Sequence, residues 1–212
     1  MNLPIPINLA VEDELSEQLL RRLFKERPVR FEVDKVYGNE GCGYLKRQSP
    51  AFNNAAKVCP FLLLTDLDSR HCAPELLKEW LPKPRHKHFL LRVAVREVEA
   101  WVLASDDAFG RFLGLKSKCR FPRPEDLQDP KGELLRLAIK CNRRERREAL
   151  VRKDHHGNPR QGRAYNATLS SFIWEGGWAP QHAAQKCPQS GEATESSGGP
   201  REGLENPFTE RS

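Results

Sequence analysis

The nine residues Phe61-Leu-Leu-Leu-Thr-Asp-Leu-Asp-Ser69 constrain this chain more than any others. Four apolar residues run straight into two aspartates spaced one apart. A short apolar run closed by a turn signal reads as a buried strand of a parallel sheet. In open sheets of that kind the ligand lies beyond the carboxyl ends of the strands, which is where Asp66 and Asp68 fall. On an extended backbone, residues two apart leave on the same side. Two carboxylates held that close repel unless a proton or a cation lies between them. A hard divalent cation such as magnesium meets that need. The plainer reading is a strand that ends in a polar loop, with both aspartates in water.

The flanking sequence alternates strands with helices. Pro4 to Val11 is apolar, with two prolines near its start, and reads as a strand beginning near Ile5. Leu15, Leu19, Leu20, Leu23 and Phe24 follow at helical spacing. Acidic residues crowd the first turn of that helix, where its dipole favours them. Val29 to Tyr37 alternates apolar and polar residues and reads as a second strand. The glycine-rich stretch Gly38 to Tyr44 fits neither common phosphate-binding spacing and reads as a flexible connection. A short helix over Pro50 to Lys57 precedes the strand at 61–66. Then come a helix over Pro74 to Trp80, a strand over His88 to Val95, and a helix from Arg96, continued or restarted through Phe109 and Phe112.

This order predicts an α/β, Rossmann-like, mainly parallel sheet flanked by helices. Right-handed crossovers put every strand's carboxyl end on one edge. That gathers Glu12 with Asp66 and Asp68, and sets Glu97 and Glu99 near the same rim.

Phe121-Pro-Arg-Pro124 and Asp129-Pro130 break the chain as a linker. Helices are expected over Lys131 to Lys140, over the basic run 143–153, and over Tyr165 to Trp174. The expected organisation is one domain over 1–120, a helical extension packed on it over 121–187, and a tail over 188–212. The tail is rich in Ser, Gly, Glu and Pro with little to bury, and reads as disordered.

Charge is unevenly placed. Residues 1–110 hold sixteen basic and sixteen acidic side chains, whereas residues 111–163 hold sixteen basic and seven acidic. The excess of the whole chain, +6, therefore belongs to one segment. Arg143, Arg144, Arg146, Arg147, Arg152 and Lys153 form its densest run, and arginine clusters grip phosphates. Glu145 and Glu148 lie within that run, so the plainer reading is a solvated face with local pairs. No apolar run approaches the ~20 residues of a membrane span, and the N-terminus lacks the basic opening of a secretory signal. The six cysteines form no CxxC pair and read as reduced thiols in a cytoplasm. The histidine groups lack zinc spacing.

Glu12, Asp66 and Asp68 form the strongest constellation. Three carboxylates on one rim can hold magnesium (or manganese), which neutralises a phosphodiester and activates a water. Glu12 is either a ligand or a general acid or base. Glu97 or Glu99 is the candidate additional ligand. The alternative for Glu12 is that it merely helps start the first helix, and for Glu97 and Glu99 that they are helix-surface carboxylates.

The pairing of strand-Glu12-helix with Leu63-Leu-Thr-Asp-Leu-Asp68 resembles the Toprim domain of topoisomerases, primases and the overcoming-lysogenization-defect nucleases. More closely, the chain resembles a Toprim-like family of prokaryotic proteins found beside an ATPase in phage-defence gene clusters. The matching stretches include Val11-Glu-Asp-Glu-Leu-Ser-Glu17, Gly43-Tyr-Leu-Lys46 and Arg96-Glu-Val-Glu-Ala-Trp101-Val-Leu-Ala104. Asp129-Pro-Lys131, Tyr165-Asn-Ala-Thr-Leu-Ser170 and Trp178-Ala-Pro180 continue the series in the same order. The resemblance implies a Toprim-like fold and magnesium on the acidic rim. It implies Glu12 in the place of the catalytic glutamate, Asp66 and Asp68 as the metal pair, and a nuclease role on nucleic acid with an ATPase partner. Two positions depart from the pattern. Asp13 stands where glycine usually follows the glutamate, and Ser105 stands where an aspartate is expected, with Asp106 one place late. The competing expectation is a non-cleaving regulatory or nucleic-acid-sensing partner of the ATPase.

Overall fold

The structure is a computed structural model that describes residues 3–26, 31–38, 40–68, 70, 72–81 and 84–187. The expected disorder of 188–212 lies outside the described residues. Four parallel strands form one sheet: β1 (Ile5–Val11), β2 (Phe31–Gly38), β3 (Phe61–Asp66) and β4 (Phe89–Ala94), in the order β2-β1-β3-β4. The α/β reading therefore holds, with a parallel sheet between helices. The apolar run of β3 is buried because β3 lies between β1 and β4, with Leu64 beside Val11 and Asp66 beside Ala94. The second strand begins at Phe31 among the described residues, since 29 and 30 lie outside them.

Side-chain alternation along the strands builds two cores. Ile7, Leu9, Val11, Leu62 and Leu64 face α1 (Glu14–Lys25) and the helices of the second half of the chain. Ala10, Phe61, Leu63, Leu91 and Val93 face α2 (Cys42–Ala55) and α3 (Ala73–Trp80). The first core runs from Ile7 to Cys187, so residues 121–187 pack on the sheet as part of one hydrophobic unit.

Several elements differ from expectation. The second helix spans Cys42–Ala55 instead of 50–57, with Pro50 inside it. Leu45, Ser49 and Phe52 lie on one face and bury against the sheet and Trp80, so tertiary packing overrides the proline. After β4 the chain forms α4 (Glu99–Leu103) and restarts at Ser105 as α5 (Asp106–Leu113). A 3₁₀ turn at Pro124–Asp126 leads to α6 (Pro130–Ile139).

The basic helix α7 covers only Arg144–Leu150. Residues 151–153, expected as its end, form β5 (Val151–Lys153), antiparallel to β6 (Pro159–Gln161). The turn is closed by Asp154, whose Oδ1 accepts the amides of His156 and Asn158, each at 2.9 Å. Last come α8 (Tyr165–Glu175) and an unforeseen α9 (Pro180–Lys186). Trp178 Nε1 donates to the Trp101 carbonyl at 2.8 Å, and Lys186 pairs with Asp106 at 2.7 Å, which ties this end to α4 and α5. Among the described residues no helix is long and apolar enough to cross a membrane.

Candidate functional site

Glu12 lies one residue past the end of β1 and reaches across to β3. Its Oε1 accepts the Thr65 hydroxyl and, at 3.0 Å, the Asp66 amide. Burial raises the Glu12 carboxyl above its ordinary range, the two hydrogen bonds oppose that rise, and the charges of Asp68 and Asp13 add to it. Asp13 occupies the place of the expected glycine. It is in extended conformation and caps α1, accepting the Ser16 amide at 2.9 Å and hydroxyl at 2.8 Å. A residue that starts the helix this way satisfies one of its free amides.

Asp66 shares the face of Leu62 and Leu64 by strand alternation, so its side chain turns toward the start of α4. Oδ1 accepts the Val98 amide at 3.1 Å. Burial, followed by the neighbouring charges of Glu99, Glu12, Asp13 and Asp68, pushes its pKa up to about 9. This is a half-buried carboxyl among four others.

Asp68 behaves differently. The ladder between the strand ends continues past β3: the Leu67 amide donates to the Ala94 carbonyl and the Asp68 amide to that of Arg96, at 2.9 and 2.8 Å. Both Asp68 (φ 52°) and Arg96 (φ 62°) are left-handed. The extended backbone that would set Asp66 and Asp68 on the same side is therefore broken at Asp68, whose side chain is exposed. The left-handed region is uncommon for non-glycine residues and marks a constrained turn.

The two later carboxylates serve the interior. Glu99 is 1% exposed and is met by the Tyr165 hydroxyl at 3.0 Å and Lys131 Nζ at 3.3 Å. Burial raises its carboxyl and the Lys131 charge opposes that rise. Glu97 Oε2 accepts the Lys131 amide at 2.8 Å, at the start of α6. Glu99 is thus held inside the fold, whereas Glu97 is half-buried with one oxygen on the Lys131 amide. Lys131 and Tyr165 are site residues that the charge and periodicity patterns miss. The only sequence signal for them is that Lys131 closes one of the ordered stretches, Asp129-Pro-Lys131, and Tyr165 opens another, Tyr165 to Ser170. Asp129 itself caps α6 through the Gly132 amide at 2.7 Å.

Among the described residues no group of three or more His, Cys, Asp or Glu side chains stands close enough to hold a metal ion. Glu12, Asp66 and Asp68 thus share one rim without closing into a cage. The chemistry of the donors still suits a hard cation held by two carboxylates. Oε2 of Glu12 and Oδ2 of Asp66 accept no hydrogen bond from a described residue. Magnesium is commonly bound by one or two carboxylates, with waters and substrate phosphates completing its shell.

The basic run divides into two groups. Arg146 donates to the Phe112 carbonyl and stacks over the Phe112 ring, its guanidinium carbon 3.8 Å from the centroid. Arg147 donates to the Cys141 carbonyl at 3.1 Å. Both are half-buried and pack α7 against the fold, in place of the phosphate contacts expected of them. Arg144 pairs with Glu148 in water at 2.7 Å. Arg143, Arg152 and Lys153 remain exposed, and Arg152 joins Gln161, Gly162 and Arg163 around an open groove of about 550 Å³. Comparison with protein families, curated proteins and solved structures finds no match.

Proposed function

We propose that this chain is a Toprim-type, magnesium-dependent nuclease acting on nucleic-acid phosphodiesters. One observation carries the reading. The ends of the two central strands bring Glu12 onto the Asp66 amide, where burial first and the neighbouring carboxylates second push Asp66 up to about 9. A rim of that kind lacks positive charge, and a divalent cation supplies it. Bound there, magnesium would supply Lewis-acid neutralisation of the phosphodiester charge and an activated water. Glu12 and Asp66 would hold it. Glu12 would do so through Oε2, the oxygen that accepts no hydrogen bond from a described residue. Thr65 and the Asp66 amide fix its Oε1, so that its second oxygen faces the reaction. Lys131 and Tyr165 keep the charge of Glu99 compensated behind Asp66. Arg152 and Arg163 hold the phosphate backbone away from the reacting bond.

Purified full-length chain should cleave DNA or RNA when magnesium is present and stop when it is chelated. Asp66→Asn should remove that activity. Cleavage that survives Asp66→Asn refutes the assignment to this rim.

The open three-carboxylate set favours a second reading, a non-cleaving regulatory or nucleic-acid-sensing partner of an ATPase. It predicts stable co-purification with the ATPase and function that survives Asp66→Asn.

A further inference from the structure

Leu67 sits between the two aspartates, on the opposite face of β3 from Asp66. It forms the floor of an open cleft of about 460 Å³ between the ends of β3 and β4, the start of α3 and the 3₁₀ turn. That volume falls in the range of small-molecule sites, roughly 300–1,000 Å³. The floor is apolar: Leu67, Ala73 and Val95. The charged lining residues of the cleft are Arg96, Glu125 and Asp126. Arg96 is itself in left-handed conformation, and it donates to the Asp68 carbonyl at 3.3 Å while its own carbonyl accepts the Asp68 amide. The turn that takes Asp68 out of the expected cage therefore also presents Arg96 to the cleft. Backbone strain held by reciprocal hydrogen bonds is a recurrent feature of ligand clamps.

We propose that this cleft receives the nucleobase next to the phosphate held at the acidic rim, and that it favours guanine. The inference rests on the nuclease reading for its placement in a polymer, and on the cleft alone for the chemistry of its ligand. A flat ring with polar edges matches a lining of apolar and charged residues, as extruded bases lie between apolar side chains and are read along their edges. A carboxylate accepts from the ring N–H and amino group that guanine presents side by side. A guanidinium donates to its O6 and N7 acceptors. Uracil has a single ring N–H and no amino group, and so offers the carboxylate half as much. Asp126 is now paired with Arg123 at 3.0 Å in an exposed contact, which costs little to rearrange. The cleft, lined by Leu67 just past β3 and by Val95 and Arg96 just past β4, lies at the same strand ends as the rim.

Cys72 lines the same cleft and is partly exposed, and Cys42 and Cys59 are partly exposed elsewhere. They give a binding test that needs no cleavage. Metal-free full-length protein is treated with iodoacetamide alone, with guanosine monophosphate or with uridine monophosphate at equal millimolar concentration, and labelling of each cysteine is followed by mass spectrometry. The expected result is severalfold slower labelling of Cys72 with the guanine nucleotide alone, with Cys42 and Cys59 unchanged. Ala73→Trp, which fills the floor, should remove the protection. Asp126→Asn, which keeps the shape and exchanges an acceptor for a donor, should weaken it even if the first variant folds poorly.

Equal protection by both nucleotides, or none by either, overturns the proposal. Protection of Cys72 in a protein that cleaves nothing would refute the nuclease reading and leave the cleft as a guanine-nucleotide site. Magnesium-dependent cleavage without protection would refute the cleft and leave the nuclease reading standing.

Discussion

Asp66 is the residue on which the energetics turn. A carboxyl raised in the folded chain from 3.8 to about 9 favours its protonated form there. Its stabilising contribution is complete below the ordinary carboxylate value and is lost as pH climbs toward about 9. The metal-free protein should therefore lose stability between those limits, and chemical unfolding at a series of pH values reads the slope directly. Asp66→Asn removes the charge and keeps the acceptor for the Val98 amide. It should stabilise the metal-free protein at neutral pH by about 1–3 kcal/mol and flatten the pH dependence. A destabilised variant with an unchanged slope contradicts the account.

The Glu99–Lys131 pair gives a second residue-scale prediction. Lys131→Met leaves a buried carboxylate without its counter-charge and should cost about 3–5 kcal/mol. Adding Glu99→Gln, which keeps the contact with Tyr165, should recover much of that loss, and a double-mutant cycle by thermal or chemical unfolding measures the coupling. A loss in the double variant equal to the sum of the two single losses would show that the pair is not coupled.

Among the elements, the end of β2 sets the position of Glu12. Gly38 pairs with Val11 and has φ 143°, and a Cβ there would lie 1.8 Å from the Val11 carbonyl oxygen. Glycine is required by that approach as well as by the backbone angle. Gly38→Ala should destabilise the fold by roughly 3–4 kcal/mol. It should also displace Glu12, the residue after Val11, and unfolding measurements beside an activity assay test both effects. The sequence stretch around Gly38 reads as a loose connection because a close approach between β1 and β2 leaves no local pattern.

Other elements were legible or hidden for similar reasons. The apolar run before Asp66 and the leucine spacing of α1 are local signals and survive folding intact. Pro50 suggests a late helix start, but the buried stripe of Leu45, Ser49 and Phe52 carries the helix through it. The run from Arg143 to Lys153 looks like one basic helix. Its last three residues pair instead with Pro159–Gln161, and two of its arginines turn inward. Strands of three residues and the direction of a guanidinium depend on contacts remote in sequence.

At the scale of the whole molecule, parallel topology placed the carboxylates together, as the strand order predicted. It did not supply their geometry. The left-handed turn at Asp68 opens the expected set of three, and the union of Glu99 with Lys131 and Tyr165 joins residues too far apart in the chain for any spacing to show. What emerges is a two-carboxylate rim, a basic groove beside Arg152 and Arg163, and a cleft lined by Leu67. The account stands on magnesium-dependent cleavage by that rim. The most direct measurement compares cleavage of a mixed DNA and RNA substrate by the full-length chain, by Glu12→Gln and by Asp66→Asn, with magnesium and with a chelator. The account predicts cleavage by the parent chain with magnesium alone, and a loss of roughly a thousandfold in each variant. Cleavage that persists in the chelator or in Asp66→Asn would contradict it.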